Sequence, residues 1–154
     1  MIAAPALAQS PQDRMFPDQA NCYARIYAPE HLAAHPKQRV TEMRLSPDVQ
    51  IAAPLLALHI EVTLRGTPGG AFEFYGYCEN EGETTLYCAM EGDAGGFTLT
   101  PARSGAVLLT VSSLGMSFEN DAGFVTLEHK KGDDRTFLLQ PSPMLAALFV
   151  GALV

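Results

Sequence analysis

The sequence predicts an all-β fold: an antiparallel meander of about eight to nine strands closing into a barrel, with a β-sandwich as the alternative, behind a short helical or irregular segment. Three observations carry this. From residue 39 onward, short runs of β-type residues alternate with Gly, Pro, Asp and Asn at intervals of about 8 to 12 residues. Within that rhythm Leu58, Ile60, Val62 and Leu64 alternate with His59, Glu61, Thr63 and Arg65, the period-two signature of a strand with one buried and one wet face. A turn-plus-strand unit also repeats, as Glu91-Gly92-Asp93-Ala94-Gly95-Gly96-Phe97 and again as Glu119-Asn120-Asp121-Ala122-Gly123-Phe124, with Gly69-Gly70-Ala71-Phe72 a fainter copy. Asp and Asn bond their own backbone at turn entry, Gly supplies positive φ, and Phe starts the next strand.

In order along the chain, residues 1–8 hold Ala6-Leu7-Ala8, the small-x-small pattern that a signal peptidase accepts, so they read as the tail of a signal peptide cleaved after Ala8. Residues 9–38 are broken by Pro11, Pro17, Pro29 and Pro36 and leave room for one short helix over Glu30–His35. Residues 39–154 form the single barrel domain. Its expected strands are Val40–Leu45, Leu58–Leu64, Phe72–Cys78, Thr84–Glu91, Phe97–Thr100, Ala106–Ser112, Met116–Glu119, Phe124–Glu128 and Arg135–Gln140. The apolar run 144–154 is shorter than the ~20 residues of a membrane-spanning helix. It reads as a closing strand or a helix plugging the core, or, if exposed, as a partner-binding patch.

Charge narrows the function classes. Ten basic against 17 acidic residues give a formal charge of −7, which repels phosphate backbones and anionic lipid, and only Lys130 and Lys131 are adjacent, so no nucleic-acid partner is expected. Short strands and the absence of Trp also argue against an integral outer-membrane barrel.

Motifs for chemistry are sparse. His31 and His35, at i, i+4, share a helical face and are weak candidates for clasping zinc or copper, but Pro36 ends the helix and a third ligand must come from elsewhere; no metal or cofactor is expected. His59 and His129 read as exposed strand positions. Asp93 and Asp121 lack the ladder of oxygens a calcium loop needs. Ser112-Ser113-Leu114-Gly115 reads as a plain turn with no nucleophile elbow, and Asp133 and Asp134, beside Lys130-Lys131-Gly132, read as a solvated hairpin turn.

Two features remain. Cys78 and Cys88 flank the turn-like stretch 79–83 and are within reach of a disulfide across a hairpin, leaving Cys22 over. If Phe72, Phe74 and Cys78 face the core, then Glu73, Tyr75, Tyr77 and Glu79 face outward, with Tyr87 and Glu91 on the paired strand. The result is a candidate partner-binding face of Tyr75, Tyr77 and Tyr87 rimmed by acids.

The exported start, the nine strands and the Tyr77-Cys78 and Tyr87-Cys88 hairpin resemble small bacterial periplasmic proteins with a calycin-like β-barrel, some of them uncharacterised and others inhibitors of lysozymes or proteases. The resemblance covers residues 39–140. The Gly-x-Trp signature of lipocalins is absent and no inhibitor loop can be placed, so it implies the fold and a periplasmic or secreted location without a specific activity. The expectation is therefore a non-enzymatic exported binding or inhibitor module, whose partner is a protein or a small apolar ligand. The alternative is an enzyme or metal-binding protein with a site assembled from dispersed residues such as His31, His35, His59 and Asp93.

Overall fold

The structure, a computed structural model, describes residues 9–66, 71–121 and 123–143, so the signal-peptide reading of 1–8 and the apolar run 144–154 lie outside the described residues. Among the described residues nine strands form: β1 (Tyr23–Ile26), β2 (Val40–Pro47), β3 (Leu56–Leu64), β4 (Phe72–Glu81), β5 (Thr85–Met90), β6 (Gly95–Pro101), β7 (Val107–Asn120), β8 (Gly123–Leu127) and β9 (Thr136–Pro141). Antiparallel pairing runs β1 to β7 in sequence, passes from β7 to β9, and returns from β9 to β1, so eight strands close on themselves and β8 is an extra strand on β7. This antiparallel barrel is compatible with a calycin-like fold.

Alternation sets the two faces. Leu58, Ile60 and Val62 of β3 are fully buried, as are Leu86 and Cys88 of β5, Phe97 and Leu99 of β6, and Leu109 of β7, so the lumen is packed with side chains. Gly76 of β4 belongs to this packing: a Cβ there would stand 3.0 Å from the Phe97 ring, so glycine makes the room that Phe97 fills. Cys78 and Cys88 are directly opposed across β4 and β5 and form the expected disulfide. Closing a loop of this length contributes about 2.5–3 kcal/mol in the chain-entropy account.

Three expectations about the strands need correction. The segment 9–38 is not all irregular or helical, because Tyr23–Ile26 pairs with both β2 and β9 and completes the barrel, which therefore begins before residue 39. With four residues and no internal alternation of polarity, β1 has too little period to read from sequence. Second, the two strands expected at Ala106–Ser112 and Met116–Glu119 are one long strand, β7, bent at Gly115. Gly95 (φ +85°) and Gly115 (φ +82°) approach so closely that a Cβ on Gly95 would lie 2.0 Å from the Gly115 carbonyl oxygen. Beyond that contact the second half of β7 pairs with β8, and its Phe118 packs on Phe72 and Phe74. Third, His129 follows β8 in a turn, where its Nδ1 lies 2.7 Å from the Val111 carbonyl oxygen.

Two short helical segments pack against the barrel. α1 (Pro11–Met15), capped by Ser10, buries Met15 and Phe16, and Phe16 meets Tyr23 edge-on at 5.4 Å. α2 (Pro29–Ala34) matches the helix expected near Glu30–His35 and is tied to β3 by the Arg65 guanidinium, which donates to the Leu32 and His35 carbonyls. No helix among the described residues is long and apolar enough to cross a membrane.

Candidate functional site: the outer faces of a filled barrel

Tyr75 and Tyr77 stand on the outer face of β4, 45% and 49% exposed, because they alternate with buried Phe72 and Gly76. In register, Tyr75 faces His59 of β3, Tyr77 lies between Ala57 and Ala89, and Glu79 faces Tyr87 of β5. The small neighbours leave the Tyr77 ring open, whereas Tyr87 is half-buried, its hydroxyl leaning over Gly96. The Tyr77 hydroxyl donates to Glu91 Oε1 at 3.0 Å, and that bond and the Glu91 charge raise the phenol's pKa. The His59 and Tyr75 rings meet at 5.2 Å.

Sequence reasoning missed the apolar part of this face. Ile51, Leu55, Leu56 and Tyr77 line a depression of about 240 Å³, and Leu55 and Val49 project beside it. Val49, Ile51 and Leu55 lie in the loop between β2 and β3, where no alternation exists to mark a surface. Gln19 reaches this loop from the N-terminal segment and donates to the Leu55 carbonyl.

The acidic rim has its own chemistry. Glu61 and Glu73 are directly opposed across β3 and β4. Partial burial, then the hydrogen bond and charge of Glu73, raise the Glu61 pKa, opposed by His59 and Arg44. Arg44 is engaged chiefly by Glu42. A folded-state pKa above the unfolded one means that the pair favours folding while protonated and loses that contribution as pH rises through the raised value. Glu73→Gln is therefore expected to raise stability by roughly 0.2–1 kcal/mol at pH 7, the range for relieving an opposed like-charge pair. The gain should vanish below the ordinary carboxylate range, and urea denaturation at pH 7 and at about pH 3 checks it.

The second outer feature is a depression of about 430 Å³ between α2, the β1–β9 face and the turn before β9. Arg25, Tyr27, His31, His35, Asp133 and Arg135 are among its lining. Arg25 sits 4.8 Å from the centre of the Tyr27 ring and donates to the Leu138 carbonyl at 3.3 Å. The His31 ring packs on Tyr27 at 4.7 Å and stacks on His35 at 4.2 Å. Gln38 Nε2 donates to the Val40 carbonyl, so its Oε1 accepts from His31 Nε2, while His35 Nδ1 donates to the His31 carbonyl. The two histidines of the candidate metal pair thus lie face to face, inclined by 21°, so their ring planes, which hold the nitrogen lone pairs, are stacked and nearly parallel instead of meeting at one ion.

The dispersed residues of the enzyme alternative are not brought together as a set: His59 is on β3 and Asp93 in the β5–β6 turn. No three His, Cys, Asp or Glu side chains converge as a metal site among the described residues. Ser112 donates to the Gly115 carbonyl inside β7 and is not part of a plain turn. Asp134 corrects the solvated reading outright: it is 2% exposed, its carboxylate accepting from the Arg39 and Val40 backbone N–H groups at 2.9–3.0 Å and pairing with Arg39 Nε at 3.5 Å. Asp133 is exposed. Cys22 is a buried thiol, its pKa raised by desolvation, which suits packing over nucleophilic use. The chain matches no protein-family model, no curated protein and no solved structure at significance.

Proposed function

We propose that this chain is a non-enzymatic binding module, exported to an oxidising compartment such as the bacterial periplasm, that engages a basic protein surface through the outer face of β3–β5. One observation carries the reading: the barrel keeps its inside full and puts Tyr75 and Tyr77 outside, together with the apolar Ile51–Leu55 loop. A filled lumen leaves recognition to the exterior, and exposed tyrosines joined to an apolar patch supply the contact area of an interface core. The rim of Glu73, Glu79 and Glu91 favours cationic partners, and tyrosine faces accept Lys or Arg by cation–π contact. The Cys78–Cys88 disulfide supports the compartment, since such bonds persist where thiols are not kept reduced.

Tyr75→Ala combined with Tyr77→Ala tests it. Both side chains are about half exposed, so the variant should stay within roughly 1 kcal/mol of the parent. Immobilised parent protein should retain a set of basic proteins from periplasmic extract that the variant does not, and raised salt should release them. Recovery of the same proteins by both forms would leave the face exposed but idle, and a melt as damaged as that of a core truncation would mean that the face is covered.

A further inference from the structure

The depression beside α2 has a chemistry that the tyrosine face does not use. Of the seven arginines only Arg39 and Arg44 form ion pairs among the described residues, and two of the others, Arg25 and Arg135, line this depression together. Arg25 is held in place by the Tyr27 ring and the Leu138 carbonyl, so one guanidinium is already oriented. The N–H donors of His31 and His35 are committed within the protein, which fixes both rings as an aromatic wall. Leu108 and Leu138 add apolar surface, and Leu138 is 38% exposed there. The volume of about 430 Å³ is that of a small-molecule site.

We propose that this depression binds a small organic monocarboxylate, its carboxylate on Arg25 and Arg135 and its hydrocarbon part against Leu108 and Leu138. The charge count selects a monoanion: two arginines and one carboxylate, Asp133, among the lining residues leave one net positive charge. Planar guanidinium donors match a carboxylate in bidentate geometry. A phosphate dianion would face Asp133 with its second charge unbalanced, and it offers nothing to the leucines.

The full chain, titrated with sodium octanoate and followed by the carbon-bound ring protons of His31 and His35 in NMR spectra, tests this. Saturable shifts at both rings are expected, with 1-octanol and inorganic phosphate at matched ionic strength giving none. Arg25→Gln and Arg135→Gln should each weaken octanoate by about tenfold, the loss of one charge-assisted contact, while the rest of the spectrum stays that of the parent. Arg135→Gln keeps the test open if Arg25→Gln disturbs the Tyr27 packing. No saturation with octanoate, equal binding of 1-octanol, equal binding of phosphate, or unchanged affinity in both variants would each overturn the assignment.

Discussion

Truncating Phe97 to alanine is expected to lower the stability of the barrel by about 3–5 kcal/mol, the range for removing a fully buried aromatic ring. Phe97 is 0% exposed and lies in the lumen between Cys88 and Val111 in register, over Gly76, whose missing side chain it replaces. Its neighbours include the β4 backbone at Gly76 and the disulfide-bonded Cys88, which hold that side of the space in place. Guanidinium denaturation of the variant should show a lower midpoint at unchanged slope. The result bears on function as well as on folding. A loss under about 1 kcal/mol would describe a loosely filled lumen able to admit a ligand, and would remove the reason for placing recognition on the outside.

The barrel was legible in the sequence where strands are long and alternate, and it became illegible where a strand is defined by its partners. Leu58 to Arg65 announces β3 by polarity alone, and the same rule correctly turned Tyr75 and Tyr77 outward from Phe72. β1 carries no such pattern, since Tyr23–Ile26 is a strand because β2 and β9 both present free edges to it. The bend in β7 looked like a turn between two strands because Gly115 is a turn residue locally; its use in continuing the strand depends on Gly95 from β6, and that contact is tertiary.

The same limit hid the electrostatics of the surface. The i, i+4 spacing of His31 and His35 identified a shared face, but whether two imidazoles chelate or stack is decided by Gln38, Tyr27 and the His31 carbonyl. Arg25 and Arg135 lie far apart in sequence and meet one depression only because β1 and β9 are neighbours in the closed barrel. No sequence window contains both.

Asp134→Ala is the second change expected to be severe, at roughly 2–4 kcal/mol, from a residue that sequence alone reads as an exposed turn acid. Lys130-Lys131-Gly132-Asp133-Asp134 has turn composition throughout, and nothing local separates Asp133 from Asp134. The difference arises 94 positions away, where β2 begins with the Val40 N–H buried and in need of an acceptor. Asp134 supplies it, accepts from Arg39 N–H as well, and draws in the Arg39 guanidinium, whose Nη2 also donates to the Thr126 carbonyl of β8. Alanine would leave the Val40 donor buried without that acceptor and release the turn from β2, whereas Asp134→Asn keeps one acceptor oxygen and should lose less. Asp133→Ala, at an exposed position, should change stability by no more than about 0.5 kcal/mol. Urea denaturation of the three variants, with amide hydrogen exchange at Val40, checks the order. Equal effects at 133 and 134 would mean that the turn is not anchored through this carboxylate. Because Asp133 and Arg135 flank the anchor and both wall the depression beside α2, loosening Asp134 should also disorder the side of that depression on which Arg135 stands.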